Sequence, residues 1–347
     1  MSKITILGSG GFGIALGVMW NEYDNEVTLW STFQSEIDDI IKNGNRSPKL
    51  PDIVIPKEVN LTSNLEECVP KADILVFCIP SKFIRDVAKR VAPYVTDQLI
   101  INTGKGLEDN TFKRPSEVLE EELRRSVTVL SGPSHAEEVA LCMPTTVTVS
   151  STDIKYANKA QKLLSNKDFR IYTNSDVIGC ELGGALKNII ALSAGICDGL
   201  GFGDNTKAAL MTRGLSEIAS LGVKMGADIS TFAGLTGIGD LIVTCTSMHS
   251  RNRRCGILIG EGKSPEEAVK EVGTVEGFIC TKVAYELSCS LGVDMPIVSS
   301  MHKILYENVS PNECLADLMG RPHKNEVEEN TFKSLFAFLK TVLRKKS

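Results

Sequence analysis

The feature that most restricts the fold is a glycine pattern near the start of the chain, Gly8-x-Gly10-x-x-Gly13. The β-branched run Ile4 to Leu7 precedes it, and a helical pattern begins at Ile14. In such a strand–loop–helix unit the first glycine permits a tight turn, the second lets backbone approach a pyrophosphate, and the third packs helix on strand. N–H groups at the helix start also favour anions. The pattern therefore predicts a dinucleotide site at Gly8, Gly10 and Gly13 rather than an ordinary glycine-rich turn.

Strand and helix patterns continue to alternate through the first half of the chain. Further strand-like runs are Val27 to Trp30, Ile74 to Ile79, Leu99 to Asn102, Val127 to Leu130 and Thr145 to Ser150. Helical spacing is clearest at Phe83, Ile84, Val87, Ala88 and Val91. Because continuous apolar strands are covered on both faces, we predict an α/β, doubly wound (Rossmann-type) domain with a parallel sheet over residues 1–176.

The pattern changes after Thr173, where β-branched runs almost vanish and apolar residues recur at helical spacing. We therefore predict an all-helical C-terminal domain over residues 177–326. Its first helix is expected to begin near Glu181, with Gly183 and Gly184 allowing close packing against another backbone. A C-terminal extension, residues 327–347, carries apolar residues at helical spacing and a basic end. It predicts an amphipathic helix that docks on protein, with a membrane interface as the alternative.

Composition excludes several classes of function. The 38 Lys and Arg residues against 43 Asp and Glu give a net charge of -5, so no overall basic field exists to bind nucleic acid. No apolar run approaches the ~20 residues that a membrane-spanning helix needs, so we expect no stable membrane insertion. The ten cysteines include no CxxC pair, which favours free thiols in a cytoplasmic protein and gives no sign of a metal site.

The end of the second strand normally distinguishes the two nicotinamide dinucleotides. An Asp or Glu there binds the ribose 2′-hydroxyl of NAD, and an Arg binds the 2′-phosphate of NADP. This chain has Ser31 and Thr32 at that point, which can hydrogen-bond either group. The sequence thus leaves NAD or NADP open as the cofactor.

Lys187 interrupts the apolar stripe of the predicted first helix of the second domain, one residue before Asn188. A lone lysine of this kind usually extends from a helix edge into water. Here the polar pair lies where the stripe should face the first domain. A desolvated lysine has a lowered pKa and can act as a general acid or base near neutral pH.

Two further segments have the composition of anion sites. Thr103-Gly104-Lys105-Gly106 follows a strand at its carboxyl end, where doubly wound domains bind ligands. Ser250-Arg251-Asn252-Arg253-Arg254 opens a helix, so that a guanidinium, an amide and helix N–H groups converge as a phosphate requires. A solvated basic turn is the simpler alternative for the second segment.

With these pieces the sequence resembles the bacterial-type NAD(P)-dependent glycerol-3-phosphate dehydrogenases, nearly to Glu326. The resemblance rests on several motifs: Gly8 to Leu16, Thr103 to Gly106, Ser131-Gly132-Pro133-Ser134-His135-Ala136-Glu137-Glu138, Leu186-Lys187-Asn188, Gly237 to Leu241, Ser250 to Asn252 and Val275-Glu276-Gly277. Three departures matter: Gly11-Phe12 replaces a frequent Ser-Trp, no Arg or His follows the second strand, and the tail extends past the end of many members.

The resemblance implies a role for each matching residue. Lys187 would be the proton donor and acceptor, with Lys105 between cofactor and substrate. The substrate would also be bound by Gly132, Ser134, Asp240, Ser250, Arg251 and Asn252. The cofactor would be bound by Gly8, Gly10, Gly11, Phe12, Gly13, Lys105, Ala136, Arg251 and Glu276. The resemblance further implies a homodimer and a product that supplies phospholipid synthesis.

The implied reaction is reversible reduction of dihydroxyacetone phosphate to sn-glycerol 3-phosphate with NADH or NADPH. Two alternatives remain from sequence. One is a hydroxyacid dehydrogenase of the 6-phosphogluconate or hydroxyisobutyrate type, which also joins a dinucleotide domain to a helical one. The other is a non-catalytic nucleotide-binding module, because a Rossmann fold alone does not establish turnover.

Overall fold

A computed structural model describes residues 1–323 and 325–326 of the chain. The amphipathic helix predicted for residues 327–347 lies outside the described residues. The strands are β1 (Lys3–Leu7), β2 (Glu26–Trp30), β3 (Arg46–Ser47), β4 (Leu50–Val54), β5 (Asn60–Thr62), β6 (Ile74–Phe77), β7 (Leu99–Asn102), β8 (Val127–Ser131), β9 (Thr145–Ser150) and β10 (Phe169–Asn174).

Helices follow most strands of the first half and make up nearly all of the second. They are α1 (Gly11–Glu22), α2 (Gln34–Lys42), α3 (Leu65–Cys68), α4 (Ile84–Val91), α5 (Pro115–Leu123), α6 (Ala136–Ala140), α7 (Ile154–Leu164), α8 (Val177–Gly199), α9 (Asp204–Lys224), α10 (Asp240–Thr246), α11 (Arg251–Gly260), α12 (Pro265–Val272), α13 (Glu276–Leu291), α14 (Pro296–Tyr306) and α15 (Pro311–Met319). The predicted class, a doubly wound domain followed by a helical one, is confirmed.

The large sheet has eight strands in the order β10-β9-β8-β7-β6-β1-β2-β5. The neighbours from β8 to β5 pair in parallel, as predicted. The prediction of a wholly parallel sheet is wrong at one edge, because β9 pairs antiparallel to β8 and β10 then pairs parallel to β9. An apolar, β-branched run has the same composition in either direction, so its pattern does not report strand polarity.

The order of the strands places a crevice beside β1. Chain order reverses there, with β2 on one side of β1 and β6 on the other, so the loops after β1 and β6 meet at the carboxyl edge of the sheet. The strands themselves are buried, and all four residues of β6 are inaccessible. In α4 the predicted stripe is buried from Ile84 to Val91, whereas the Phe83 ring, which precedes the helix, is 48% exposed.

Helix α8 is the centre of the second half and is buried on nearly all of its faces. The prediction that it begins near Glu181 is wrong by about one turn, because the Asp176 side chain accepts from the Gly179 N–H at 2.8 Å and caps an earlier start. Close packing at Gly183 is confirmed, since a Cβ there would lie 2.4 Å from the Thr236 carbonyl oxygen.

A second close crossing brings α11 against α8. A Cβ on Gly195 would lie 2.0 Å from the Arg253 carbonyl oxygen, and one on Gly256 would lie 2.0 Å from that of Leu192. Only glycine allows two helix backbones to approach this closely. The crossing therefore fixes the start of α11, with Arg251 and Asn252, relative to the middle of α8.

Within the described residues, α8 is the helix long and apolar enough to span a membrane by length and composition. The expectation that no apolar run approaches this length is thus wrong for α8. In the protein 89% of its most apolar window is buried, as in a core helix. The ten cysteines are all free thiols, and seven of them are buried.

Candidate active site

The glycine loop has the geometry that its motif predicts. Gly8 has a φ of +121°, and a Cβ there would lie 2.5 Å from the Cys78 carbonyl oxygen after β6. A Cβ on Gly13 would lie 2.1 Å from the Gly8 carbonyl oxygen, so this glycine packs α1 on the loop. At Gly10 a Cβ would meet nothing within 4 Å, which leaves open space before the N–H groups of α1. A pyrophosphate fits this space and these donors.

Gly11, Phe12 and Ala136 border the same loop. A Cβ on Gly11 would lie 3.8 Å from the Ala136 Cβ at the start of α6. Phe12 is partly buried and packs against a hydrophobic core of the first half of the chain. The structure therefore brings Ala136, distant in sequence, beside the loop.

The opposite side of the cleft contains one buried carboxylate between two lysines. Lys187 on α8 donates from Nζ to Asp240 Oδ1 and, at 2.7 Å, to Thr244 Oγ1. Lys105 donates to Asp240 Oδ2 at 2.6 Å and to the Gly132 carbonyl oxygen at 3.0 Å. Lys187 is only 5% exposed and Asp240 1%. Residues from four separate segments thus form one charged cluster across the two halves of the chain.

The environment moves the pKa of both partners. Burial lowers the pKa of Lys187 to about 8, with the Lys105 charge acting in the same direction and the Asp240 charge opposing both. Burial alone would raise the pKa of Asp240, but the two adjacent lysines hold it below its usual value. Asp240 is therefore ionised, and Lys187 can exchange a proton near neutral pH, as its sequence context predicted.

The loop after β8 supplies backbone to this cluster. Gly132 has a φ of +139°, which favours glycine, and its carbonyl oxygen accepts from Lys105 and from the Ser134 hydroxyl at 3.1 Å. The next side chain, His135, reaches the second half, where its Nε2 lies 3.4 Å from the Val243 carbonyl oxygen. Gly132 and Ser134 lie together beside Lys105.

The basic segment divides into two parts. Ser250 caps α11 by accepting from the Arg253 N–H at 3.2 Å, and Arg251 at the first turn is exposed. Arg253 instead donates to Asp198 at 2.7 Å and is a packing residue. Nearby protein atoms partly desolvate the guanidinium of Arg251 and lower its pKa, whereas the charge of Glu276 opposes this change. Of the three arginines in the predicted anion site, Arg251 and Arg254 therefore stay available for an anion, whereas Arg253 pairs with Asp198.

Asn252 connects three helices at the edge of the cluster. Its amide nitrogen donates to the Asn188 side chain on α8 at 3.0 Å, and its oxygen accepts from the Gly277 N–H on α13 at 2.8 Å. Asn188 is the neighbour of Lys187 on α8. Its hydrogen bond with Asn252 therefore holds the start of α11 beside the part of α8 that carries the buried ammonium. These two hydrogen bonds use half of the capacity of the Asn252 amide and position the three helices.

Glu276 closes the crevice from the helical side. The Ser81 hydroxyl, just after β6, donates to Glu276 Oε2 at 3.0 Å, and burial raises the pKa of this carboxyl. A Cβ on Gly106 would lie 2.5 Å from the Ser81 oxygen, so the loop with Lys105 passes alongside. Glu276 thus lies at the carboxyl edge of the sheet, at the reversal of strand order.

The sequence reading missed several groups near these residues. Thr244, a hydrogen-bond partner of Lys187, lies one helical turn after Asp240, and that i, i+4 spacing could have indicated it. Ser81 carries no local signal. Beyond β2, the Glu36 side chain accepts from the Ser31 hydroxyl at 2.5 Å and also pairs with Lys49, so an acid and a base reach that strand end from elsewhere.

In residues 1–323 and 325–326, no cluster of three or more His, Cys, Asp or Glu side chains is arranged to hold a metal.

Two family models match the chain. The model described as the NAD-dependent glycerol-3-phosphate dehydrogenase N-terminus matches residues 3–157, and that of the C-terminus matches residues 176–316. The glycerol-3-phosphate dehydrogenase [NAD(P)+] of Fusobacterium nucleatum is 49% identical over 333 residues, covering 94% of this chain and 99% of the relative. That of Clostridium acetobutylicum is 50% identical over 329 residues with the same coverages.

A solved structure agrees with these similarities. The crystal structure of glycerol-3-phosphate dehydrogenase from Coxiella burnetii superposes with a TM-score of 0.88 at 34% identity. It covers 92% of this chain and 99% of that chain. The likeness therefore extends over both halves and the cleft between them.

Proposed function

The chain belongs to the NAD-dependent glycerol-3-phosphate dehydrogenase family, and we propose that its cleft interconverts dihydroxyacetone phosphate and sn-glycerol 3-phosphate with Lys187 as proton donor and acceptor. The protein is an NAD(P)-dependent oxidoreductase with a small-molecule substrate, and its cofactor is NAD or NADP. One observation supports this chemistry most directly: Lys187, Asp240 and Lys105 form a buried cluster, and Lys105 belongs to the loop after β7, the strand next to β6 in the sheet.

The dinucleotide, when bound, supplies or accepts the hydride at the C2 carbon of the substrate. The residues that would hold it are Gly8, Gly10, Gly11, Phe12, Gly13, Lys105, Ala136, Arg251 and Glu276. The open space at Gly10 and the free N–H groups of α1 fit its pyrophosphate.

The chain itself must provide a proton. In the reducing direction the Lys187 ammonium donates a proton to the C2 oxygen as negative charge develops there, and the resulting amine regains a proton from solvent. In the oxidising direction the neutral amine accepts the hydroxyl proton. A lysine whose pKa is about 8 can exist in both forms near neutral pH.

Asp240 and Lys105 prepare this proton exchange. The ionised carboxylate keeps Lys187 charged enough to donate, despite its burial. Lys105 contacts the other oxygen of Asp240 and places a second cation beside the substrate oxygen, where it stabilises developing negative charge.

The substrate phosphate would lie at the start of α11. The Arg251 guanidinium provides a planar fork of donors, and the helix N–H groups add partial positive charge. Ser250 caps this turn, and Asn252 ties it to α8, so the phosphate is held at a fixed distance from Lys187. Gly132 and Ser134 would complete the site beside Lys105.

The cellular setting also belongs to this proposal. We expect a cytoplasmic homodimer whose glycerol 3-phosphate supplies phospholipid synthesis. Within each chain we expect the dinucleotide-binding domain to end at residue 176 and the helical domain to begin at residue 177. Sedimentation of the purified protein tests the dimer: a single species of twice the 37.7 kDa chain mass is expected, and a monomer would contradict it.

A spectrophotometric assay at 340 nm tests the reaction. Dihydroxyacetone phosphate should cause oxidation of NADH or NADPH, whereas 2-hydroxy-acid or 2-keto-acid substrates should not. Turnover only with the acids would favour the hydroxyacid dehydrogenase alternative, and cofactor binding without any turnover would favour the non-catalytic module. Neither alternative is favoured by the family models, which match both halves of the chain.

A further inference from the structure

The carboxylate of Glu36 lies at the carboxyl end of β2, although its residue belongs to α2. The hydroxyl of Ser31, the first residue after β2, donates to Glu36 Oε2 at 2.5 Å. The hydroxyl of Ser9, within the glycine loop, also acts to lower the pKa of the Glu36 carboxyl. Ser31 is 2% exposed, so its hydroxyl holds the carboxylate from a buried position.

This position is adjacent to the glycine loop. β1 and β2 pair in parallel with Leu7 opposite Trp30, and the Gly8 N–H donates to the Trp30 carbonyl oxygen at 2.9 Å. The ends of these two strands are where a Rossmann domain binds the adenosine ribose, usually through an acid at the end of the second strand. Glu36 places its carboxylate there from five residues further along the chain.

Lys49 faces the same carboxylate from the turn between β3 and β4. Its ammonium pairs with Glu36 Oε1, and its side chain is 49% exposed. The hairpin also lies directly against the glycine loop, because a Cβ on Gly11 would be 3.1 Å from the Lys49 carbonyl oxygen. The end of β2 therefore carries a carboxylate held by the Ser31 hydroxyl and an ammonium on a half-exposed side chain.

The state of Glu36 agrees with this arrangement. Burial raises the pKa of its carboxyl, but hydrogen bonds from Lys49 and Ser31 outweigh that effect, so the pKa is lowered. The group is therefore an anion at neutral pH and acts only as an acceptor. An anionic acceptor favours a ribose 2′-hydroxyl and repels a 2′-phosphate.

We propose that Glu36 reads the 2′ position of the adenosine ribose and favours the hydroxyl of NAD(H), while Lys49 limits the rejection of NADP(H). With a 2′-hydroxyl the ion pair stays intact and Glu36 accepts a hydrogen bond from the hydroxyl. With a 2′-phosphate the Lys49 ammonium turns from Glu36 to the phosphate. The inference rests on the proposed function only in taking the glycine loop as a dinucleotide site.

Binding of two adenosine fragments to the full chain tests this assignment without turnover. Titration calorimetry with 5′-AMP and with 2′,5′-ADP, which differ only in the 2′-phosphate, gives the affinity ratio that depends on the 2′ group. Glu36→Gln should shift this ratio toward 2′,5′-ADP by at least about tenfold, or about 1.4 kcal/mol. Lys49→Met should shift it in the opposite direction. A purely structural role would weaken both fragments equally.

The control is Asp38→Asn, which removes one negative charge from an exposed position on the same helix. It should leave the ratio unchanged. In the 340 nm assay, kcat/KM for NADPH relative to NADH should follow the fragment ratio, with kcat nearly constant because Glu36 is remote from Lys187.

An unchanged ratio in Glu36→Gln, with both fragments still bound, would overturn the assignment of Glu36 and leave the proposed function intact. Equal weakening of both fragments in both variants would also overturn it. If the wild-type chain bound neither fragment, the dinucleotide site itself would be wrong, and this inference would fail with it.

Discussion

Replacement of Asp240 by Asn should shift the pH dependence of turnover in a defined direction. The substitution keeps the shape of the side chain but removes the charge that both Lys187 and Lys105 contact. What remains around Lys187 is burial and the Lys105 charge, and both lower its pKa. The ammonium form should therefore be lost at a lower pH than in the wild type.

The size of the shift follows from the contact geometry. Unit charges about 4 Å apart attract by about 4 kcal/mol at an effective dielectric constant of ~20, and one pKa unit corresponds to about 1.36 kcal/mol. Because Asp240 is almost fully buried, solvent screening is weak. Reduction should lose half of its maximal kcat near pH 8 in the wild type and roughly two to three pH units lower in Asp240→Asn.

The assay is kcat at saturating dihydroxyacetone phosphate and NADH, followed at 340 nm between pH 5 and 10. Oxidation of glycerol 3-phosphate needs the neutral amine, so its kcat should rise with pH where that of reduction falls. This rise should occur at a lower pH in Asp240→Asn than in the wild type. Thr244→Val is the matched control, since it removes a neutral partner of the same ammonium at 2.7 Å. It should shift the profile by less than about one pH unit. A profile that is unchanged in Asp240→Asn, or that moves upward, would refute the electrostatic role of this carboxylate.

Three other predictions follow from the site and the core. Arg251→Lys should raise KM for dihydroxyacetone phosphate sharply with little change in kcat, because an ammonium lacks the planar fork; an unchanged KM would place the phosphate elsewhere. NADH and NADPH should both support reduction, because Lys49 partly neutralises Glu36; kcat/KM values that differ by more than about a thousandfold, or ~4 kcal/mol, would contradict this. Glu217 accepts hydrogen bonds from the Ile297 and Val298 N–H groups, and burial raises its pKa to about 7. Because this pKa is higher in the folded than in the unfolded protein, the stability that Glu217 contributes is present below about pH 4.5 and is lost as pH rises through 7. Glu217→Gln should remove roughly 3 kcal/mol of that pH dependence in urea denaturation, and equal slopes in both proteins would refute the assignment.

Local sequence patterns were sufficient to predict the glycine loop, because its chemistry is confined to six residues. Gly8 and Gly13 must be glycine because carbonyl oxygens lie too close to their Cα atoms for a Cβ to fit. Burial of Lys187 was also predictable, because the Lys187-Asn188 pair interrupts an apolar stripe that should face the first domain. Each of these inferences depends on neighbours in sequence.

The rest of the site depends on contacts between distant segments. Lys105 and Asp240 are 135 positions apart, and Ser81 and Glu276 are 195 apart, so their proximity follows from the docking of two halves and from no local pattern. Glu36 was missed for a similar reason. The dinucleotide motif places an acid directly after β2, whereas the Glu36 carboxylate reaches that strand end from the following helix.

Two errors in the fold also have local physical causes. The antiparallel pairing of β9 with β8 leaves its hydrophobic pattern unchanged, so composition does not reveal it. The early start of α8 depends on the capping side chain of Asp176, which precedes the apolar stripe by a full turn.

The central claim is that Lys187 transfers the proton, and Lys187→Ala tests it most directly. The measurement is kcat for reduction of dihydroxyacetone phosphate together with the Kd for NADH from fluorescence titration, with Lys224→Ala, an exposed lysine at the end of α9, as the control. Loss of a general acid should lower kcat by ~10²–10⁴-fold in Lys187→Ala, while its Kd for NADH and the activity of the control stay close to wild type. Turnover of Lys187→Ala at the wild-type rate would contradict the account.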